Sequence, residues 1–378
     1  MSYDTRLPSI VDLKALSKKR MPSFAFDYVD AGIDEERGKQ RNREGWQQVS
    51  LTPRYLKDVS ATDLNTDIFG TTYAMPFGVP PVGLGNMMWP GAELALATAA
   101  QKARIPYILS TLSTTDLDAI ARAAPDVCWF QLYVPQKVEV MKDLLNRVSN
   151  AGYHALVVTL DIPVGAKRNR ELKNGLKLPF SMTPQIIWQA ITHPQWALQT
   201  VTHGTPDFVN VLRYKETPDQ GLADFMTSFN MQGVTRERVE MIRDLWKGPL
   251  VLKGVQYDAD MQTALDIGVD GVVISNHGGR QLDAAPSTMQ SLKDLAHYRN
   301  KGLTVMIDSG IRTGLDVVRS KALGAQMAFS GRSFFWGIGA MGAAGADQVI
   351  EIYRDEIKRT LQQLGCDTFT ELDSSWLA

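Results

Sequence analysis

Short apolar runs alternate with longer amphipathic stretches over most of this 378-residue chain, and that alternation leaves few folds open. A strand buried on both faces must be apolar at consecutive positions, whereas a helix that covers a sheet needs only one apolar face. Repeated βα units around a parallel sheet satisfy both demands. Eight strands are predicted, at Met75–Val79, Pro106–Leu109, Val127–Leu132, Ala155–Leu160, Pro249–Leu252, Gly271–Ile274, Leu303–Ile307 and Gln326–Ser330. Helices are predicted between them at Gly91–Ala103, Pro135–Asn150, Val234–Trp246, Ala259–Ile267 and Thr313–Ala322, several ending at a glycine (Gly152, Gly268, Gly324) as helix C-termini often do. Eight such units predict an α/β closed barrel, the (β/α)8 or TIM barrel; an open doubly wound sheet is the alternative.

The length suits one barrel domain over 1–378, with residues 1–70 as an N-terminal helical extension. Residues 175–230 interrupt the fourth βα connection far beyond its usual 2 to 6 residues, and loops of that length are functional or disordered. Within the insertion, 178–206 contains no Asp, Glu, Lys or Arg, and Trp188 and Trp196 sit among Ile186, Ile187, Ile191, Leu198 and Val201. Pro179, Pro184 and Pro194 break this stretch, which argues against a continuous transmembrane helix. Trp interleaved with Ile and Leu suits the interfacial zone of a membrane; a loop packed on the barrel or on a neighbouring subunit is the competing expectation.

A formal charge of −1, from 40 Lys+Arg against 41 Asp+Glu, provides no basic field for a nucleic-acid partner. The two cysteines, Cys128 and Cys366, form no Cys-x-x-Cys pair, and the N-terminus has no apolar stretch ending in a cleavage site, so a cytoplasmic location is expected.

Barrel enzymes build their active sites from the carboxyl ends of the strands. Each predicted strand here ends in polar residues, glycine or both: Pro80-Pro81-Val82-Gly83, Ser110-Thr111, Gln131-Leu132-Tyr133, Thr159-Leu160-Asp161, Lys253-Gly254, Ser275 to Arg280, Asp308-Ser309-Gly310 and Gly331-Arg332. The sharpest signal is Ser275-Asn276-His277-Gly278-Gly279-Arg280. Paired glycines let backbone approach a ligand, His277 can exchange a proton near neutral pH, and Arg280 can hold a carboxylate. A lone histidine there would be read as a cap beside a turn; its company favours catalysis. Gly310-Ile311-Arg312 and Gly331-Arg332, after the last two strands, lie where barrels commonly bind a phosphate, so a monophosphate cofactor fits and no metal is called for. Gly337-Ile338-Gly339-Ala340-Met341-Gly342 matches Gly-x-Gly-x-x-Gly but is followed by a long helical pattern with no second strand. It is expected to be a close-packing site at the head of the last helix, not a dinucleotide fingerprint.

Taken together, Phe26-Asp27-Tyr28, Phe130-Gln131-Leu132-Tyr133-Val134, Val158-Thr159-Leu160-Asp161, Leu252-Lys253-Gly254 and Ser275 to Asp283 resemble the FMN-dependent 2-hydroxy acid oxidases and dehydrogenases. The likeness runs from about Leu7 to Leu364 and is strongest to (S)-mandelate dehydrogenase and the bacterial respiratory L-lactate dehydrogenases, with 161–184 most similar to mandelate dehydrogenase. The resemblance implies that His277 is the general base, that Asp161 orients it, and that Tyr28 and Tyr133 bond the substrate hydroxyl and carboxylate. It also implies that Arg168 and Arg280 clamp the carboxylate and that Lys253 favours the anionic reduced flavin. FMN would be held by the backbone around Pro81, Val82 and Gly83, by Ser110, Gln131, Thr159 and Ser275, and by Asp308, with its phosphate on Gly310, Arg312, Gly331 and Arg332.

Two positions depart from the family pattern. Ser309 replaces a glycine of Asp-Gly-Gly, and Asn169 replaces the acidic neighbour often found after the substrate arginine, which changes what positions Arg168. The resemblance further implies a lactate- or mandelate-like (S)-2-hydroxy acid, with Leu112 in place of the tryptophan of glycolate-oxidising members admitting a larger side chain. Gly83, where oxidases carry alanine, implies a membrane quinone or similar acceptor, and with 178–206 a peripheral membrane location. The alternative is a soluble oxidase that reduces oxygen to hydrogen peroxide. A homotetramer is also implied. A different FMN barrel lacking the substrate clamp, or a non-catalytic flavin scaffold, are the remaining alternatives.

Overall fold

The computed structural model describes residues 3–176, 183–204, 206–217, 219–229, 233–299 and 301–378. A hairpin of Thr66–Ile68 (β1) and Thr71–Tyr73 (β2) precedes the parallel strands Phe77–Gly78 (β3), Tyr107–Ser110 (β4), Cys128–Leu132 (β5), Leu156–Thr159 (β6), Leu250–Val255 (β7), Gly271–Ile274 (β8), Thr304–Ile307 (β9) and Met327–Phe329 (β10). These eight overlap the predicted strands one for one. Pairing follows chain order from β4 to β10, and β10 then pairs with β3. The ring closes beyond β3, where Val79 N donates to Pro106 O at 2.9 Å and accepts at its carbonyl from Ile108 N at 3.0 Å. The barrel is therefore closed. Nearly every strand residue is buried, as strands with side chains inside and helices outside require.

The predicted helices form within a few residues of their expected bounds, as Ala92–Ala103, Val138–Asn150, Arg236–Leu245, Asp258–Ile267 and Gly314–Ala322. Local chemistry sets their ends. Thr313 and Asp316 make a capping box at the start of one, and Gly268 closes another in the left-handed conformation. The Gly337–Gly342 motif behaves as a packing site, although it ends the helix Gly331–Met341 and does not open the last one, Ala344–Leu364. A Cβ on Gly337 would lie 2.6 Å from the carbonyl oxygen of Gly345 on that neighbouring helix, so only glycine permits the crossing.

The N-terminal extension supplies the helices Ile10–Arg20, Ser23–Asp30 and Arg37–Gln47, and at its end the chain forms the β1–β2 hairpin, which runs three residues past the expected boundary and which the sequence did not signal. The hairpin covers the barrel floor. Trp129 Nε1 donates to the Tyr73 hydroxyl at 2.9 Å, and the Phe69 ring lies 5.7 Å from the Trp129 ring.

The insertion is not the plain loop expected: its described residues carry helices at Pro184–Ile191, Pro194–His203 and Leu222–Phe229. Pro184 and Pro194 each occupy the first turn of a helix, where a missing N–H costs nothing, so they start helices here and do not merely interrupt one. Residues 178–182 with Pro179, Thr205 and the Asn230 boundary lie outside the described residues. The two helices show opposite faces. Ile186 and Trp196 are buried, with Trp196 edge-on to Phe24 at 5.4 Å and its Nε1 donating to Met88 O at 3.1 Å. Ile187, Trp188, Ile191, Leu198 and Val201 are exposed, Val201 by 81%. Among the described residues no helix is long and apolar enough to cross a membrane.

Candidate active site

At the carboxyl ends of the strands the chain brings the predicted residues around one cavity of about 350 Å3. Its walls include Tyr28, Pro81, Val82, Gly83, Leu112, Tyr133, Thr159, Arg168, Lys253, His277, Arg280, Asp308, Gly310, Arg312, Gly331 and Arg332. Ser110, Gln131 and Ser275 do not line it; they are buried beneath it in two hydrogen-bonded rows. Ser110 Oγ donates to Gln131 Oε1 at 3.1 Å, and Gln131 Nε2 to Thr159 Oγ1 at 3.0 Å. Lys253 Nζ donates to Ser275 Oγ at 2.9 Å and pairs with Asp308 Oδ2 at 3.0 Å, while Ser275 Oγ donates to Asp308 Oδ1 at 2.6 Å. Consecutive strands thus present a polar floor that is already satisfied internally. Burial acts against the Lys253 charge, but Asp308 and Asp161 outweigh it and hold its pKa above the ordinary value.

His277 has a left-handed backbone (φ +57°), a conformation that costs a non-glycine residue about 1–2 kcal/mol, and its amide donates to Ser275 Oγ at 3.1 Å. The strained turn points its ring at the cavity. Nδ1 lies 3.0 Å from Asp161 Oδ1, which leaves Nε2 for a ligand. Asp161 sits behind the ring and not in the cavity wall. Room for it comes from a bulge in β7 between Lys253 and Val255, where Gly254 has φ +104° and a Cβ would stand 2.6 Å from Asp161 Cβ. Burial raises the Asp161 pKa, yet the opposing pull of His277 and Lys253 and the hydrogen bond from His277 leave it below the usual carboxylate value. Burial lowers the His277 pKa below its usual 6.5, with Lys253 adding to it and Asp161 opposing. The pair is therefore a neutral imidazole on a carboxylate at neutral pH, the state a general base needs.

Arg168 and Arg280 flank the Tyr28 ring, their guanidinium carbons 5.9 and 5.2 Å from its centroid. Arg280 Nη1 donates to the carbonyls of Tyr28 at 2.7 Å and Ala31 at 3.0 Å. Burial, reinforced by Arg168, lowers the Arg280 pKa to about 10, so it stays charged at neutral pH. Glu171 accepts from both arginines, a role the sequence did not signal. Asn169 replaces the expected acid and donates instead to Asp34 O at 3.4 Å; the carboxylate comes from two residues further along.

At the other end of the cavity Arg312 and Arg332 are buried close together. Burial holds the Arg312 pKa down to about 10, and burial together with Arg312 and Arg280 pushes Arg332 well below its usual value. Among the described residues Arg332 donates only to neutral carbonyls, those of Val29, Gly278 and Ala31 at 3.0, 2.8 and 2.7 Å. A buried cation group without a matching anion is costly, and a phosphate would relieve it. Ser309 has a left-handed backbone (φ +73°), a conformation that favours glycine; its hydroxyl donates to Asp308 Oδ1 at 2.7 Å and accepts from Gly278 N at 2.8 Å. The hydroxyl therefore ties the His277 turn to Asp308.

Several other contributors carry no signature in the sequence. Asn42, on the N-terminal extension, exchanges amide hydrogen bonds of 2.8 Å with Asn276. Buried Glu93 accepts from Gly85 N at 2.9 Å and Thr114 N at 3.0 Å, joining the loops that carry Gly83 and Leu112. Met88, Phe208 and Val234 complete the apolar wall beside Leu112, Phe208 from the insertion and Val234 from the segment that leads out of it.

The closed barrel gathers a His–Asp pair, two arginines beside Tyr28 and a second pair of buried arginines around one cavity, the makings of an enzyme site for an anionic ligand. Comparison with known proteins agrees. The family model for FMN-dependent dehydrogenases matches residues 17–378. The chain is 36% identical over 369 residues to (S)-mandelate dehydrogenase of Pseudomonas putida, covering 98% of this chain and 93% of that one. It is 38% identical over 365 residues to an L-lactate dehydrogenase of Vibrio parahaemolyticus, covering 96% of each. The crystal structure of the monotopic membrane protein (S)-mandelate dehydrogenase superposes with a TM-score of 0.93 at 36% identity, covering 99% of this chain and 100% of that one. The chain belongs to the FMN-dependent dehydrogenase family, and its cofactor is FMN.

Proposed function

We propose that the protein oxidises an (S)-2-hydroxy acid, mandelate- or lactate-like, to the 2-oxo acid and passes the electrons to a membrane quinone or similar acceptor. The observation that carries this reading is the placement of the His277–Asp161 pair and the Arg168–Arg280 pair on one cavity, a base and a carboxylate clamp together. Arg168 and Arg280 hold the substrate carboxylate, Tyr28 and Tyr133 bond its oxygens, and His277 Nε2 takes the proton, from the hydroxyl or from the α carbon. Asp161 then faces the imidazolium that forms. FMN, when bound, accepts the two electrons.

Arg312, Arg332, Gly310 and Gly331 hold the FMN phosphate; Pro81, Val82, Gly83, Thr159, Lys253 and Asp308 line its bed, with Ser110, Gln131 and Ser275 supporting it. The apolar wall of Leu112, Met88, Phe208 and Val234 suits an aryl or branched side chain, in line with the name of the relative (S)-mandelate dehydrogenase. Contact of the insertion with the cytoplasmic face of the membrane is supported by the exposed Ile187, Trp188, Ile191, Leu198 and Val201, and a relative of this fold is a monotopic membrane protein. A homotetramer accompanies this reading.

Anaerobic addition of a panel of 2-hydroxy acids to the purified yellow protein should bleach the flavin, fastest with (S)-mandelate or (S)-lactate. A protein that no 2-hydroxy acid bleaches would refute the proposal, and oxygen consumption as fast as dye reduction would replace the dehydrogenase by an oxidase.

A further inference from the structure

We infer that Glu171 is a positioning residue of the substrate clamp, whose carboxylate bridges Arg168 and Arg280, fixes their mutual orientation and holds the clamp's net charge at plus one. The inference rests on the reading of those arginines as the carboxylate clamp. A single oxygen, Glu171 Oε1, lies 3.4 Å from Arg168 Nη1 and 3.1 Å from Arg280 Nη2. Two guanidinium groups tied to one atom at those distances are close enough to repel strongly in a buried site, and Glu171 is the anion between them. Its side chain is only 12% exposed, so bulk water contributes little screening.

The bridge is itself held in place. Glu171 follows Arg168 by three residues, one helical turn, on the short helix Asn169–Lys173. Arg170 of that helix pairs with Asp27, with Asp30 at 2.8 Å and with Glu36 at 3.2 Å, which fastens the helix to the segment that carries Tyr28. The same segment offers its Tyr28 and Ala31 carbonyls to Arg280. Glu171 thus joins a clamp arginine of the fourth βα connection to one of the His277 turn.

Charge counting gives the consequence. With Glu171 ionised, one substrate carboxylate neutralises the clamp; without that charge, a bound monoanion still faces an excess of one. The variant Glu171→Gln keeps the shape and removes the charge, so it should hold a monocarboxylate more tightly while delivering the reacting carbon to His277 less accurately. A purely structural role predicts the opposite sign for binding.

The test titrates FMN-loaded enzyme with phenylacetate and with acetate, monocarboxylates that lack the hydroxyl, read by the flavin difference spectrum, and measures kcat with the best substrate. For Glu171→Gln the dissociation constant should fall about tenfold, from the loss of one charge at this separation in a site of intermediate dielectric. The kcat should also fall about tenfold from lost orientation. Anion binding that is unchanged or weaker, or an unchanged kcat, overturns the inference. Arg280→Met is the control: if it leaves phenylacetate binding intact, the clamp reading fails, independently of Glu171. Should Glu171→Gln lose FMN or fail to fold, Glu171→Asp carries the test. It keeps the charge on a shorter arm, so anion affinity should stay within about twofold while kcat falls, and an unaltered kcat overturns the inference.

Discussion

Replacing Gly254 by alanine tests how the base is built, because this residue does not line the cavity. The new Cβ would stand 2.6 Å from Asp161 Cβ and 2.8 Å from its Cγ. Carbon atoms settle at about 3.5–4.0 Å, so the gap must open by roughly 1 Å. If Asp161 yields, its 3.0 Å contact with His277 Nδ1 stretches beyond hydrogen-bond range. Losing a hydrogen bond to a charged group costs about 1.5–3 kcal/mol, or about 10- to 100-fold in kcat/KM. A β-carbon at φ +104° adds about 1–3 kcal/mol of backbone strain, which appears as a lower Tm and not as a kinetic effect. Anaerobic stopped-flow measurement of flavin reduction separates the two, with FMN content and Tm recorded on the same samples. Because Asp161 raises the His277 pKa, its retreat should also move the acidic limb of the pH profile lower. A variant that keeps FMN and reduces it within twofold of wild type would refute the argument that β7 makes room for Asp161.

Four further outcomes are expected. Burial holds the His277 pKa below 6.5, so kcat/KM should climb with pH along a limb centred below that value; a limb centred above it contradicts the assignment. The same shift lowers stability in acid, since below about pH 6.5 the unfolded chain takes up the histidine proton before the folded one does. Arg312→Gln should weaken FMN binding to the apoprotein by about 10- to 100-fold while leaving riboflavin, which has no phosphate, nearly unaffected; equal losses would remove Arg312 from the phosphate site. Changing both Trp188 and Ile191 to glutamate should release the protein from sedimented membranes with dye-linked turnover retained, and continued sedimentation would show that this face does not hold the membrane.

Strands and strand-end chemistry were legible in the sequence because both depend on local pattern: consecutive burial for the strands, and residue types at their carboxyl ends for the site. His277, Asp161, Arg280 and Lys253 all fall within a few residues of a strand terminus and meet where the barrel geometry requires. What escaped depends on contacts between distant segments. Nothing near Asn42 announces its amide pairing with Asn276, 234 residues away. Glu171 looks like one charge among several in Arg168-Asn169-Arg170-Glu171, and only the fold brings Arg280 to it. The β1–β2 hairpin escaped because strands of three residues carry too little periodicity to register.

The insertion joins two tasks that the sequence suggested only separately. Its uncharged stretch was consistent with burial or with an exposed apolar surface, and the helices divide the two between opposite faces, with Trp196 docked on Phe24 and Met88 while Trp188 points outward. Past those helices the chain returns to the barrel at Asn210, which is fully buried. Asn210 Nδ2 donates to Ser113 Oγ at 2.8 Å and Thr115 O at 2.9 Å, and its Oδ1 accepts from Leu117 N at 2.9 Å. This anchor fixes Phe208, two residues earlier, in the cavity wall that also contains Leu112. One segment therefore presents apolar surface outward and shapes the substrate pocket inward, with Trp196 and Asn210 as its fastenings. Changes to the outer face should leave substrate preference alone, whereas loosening Asn210 should alter it without touching a residue that contacts the base.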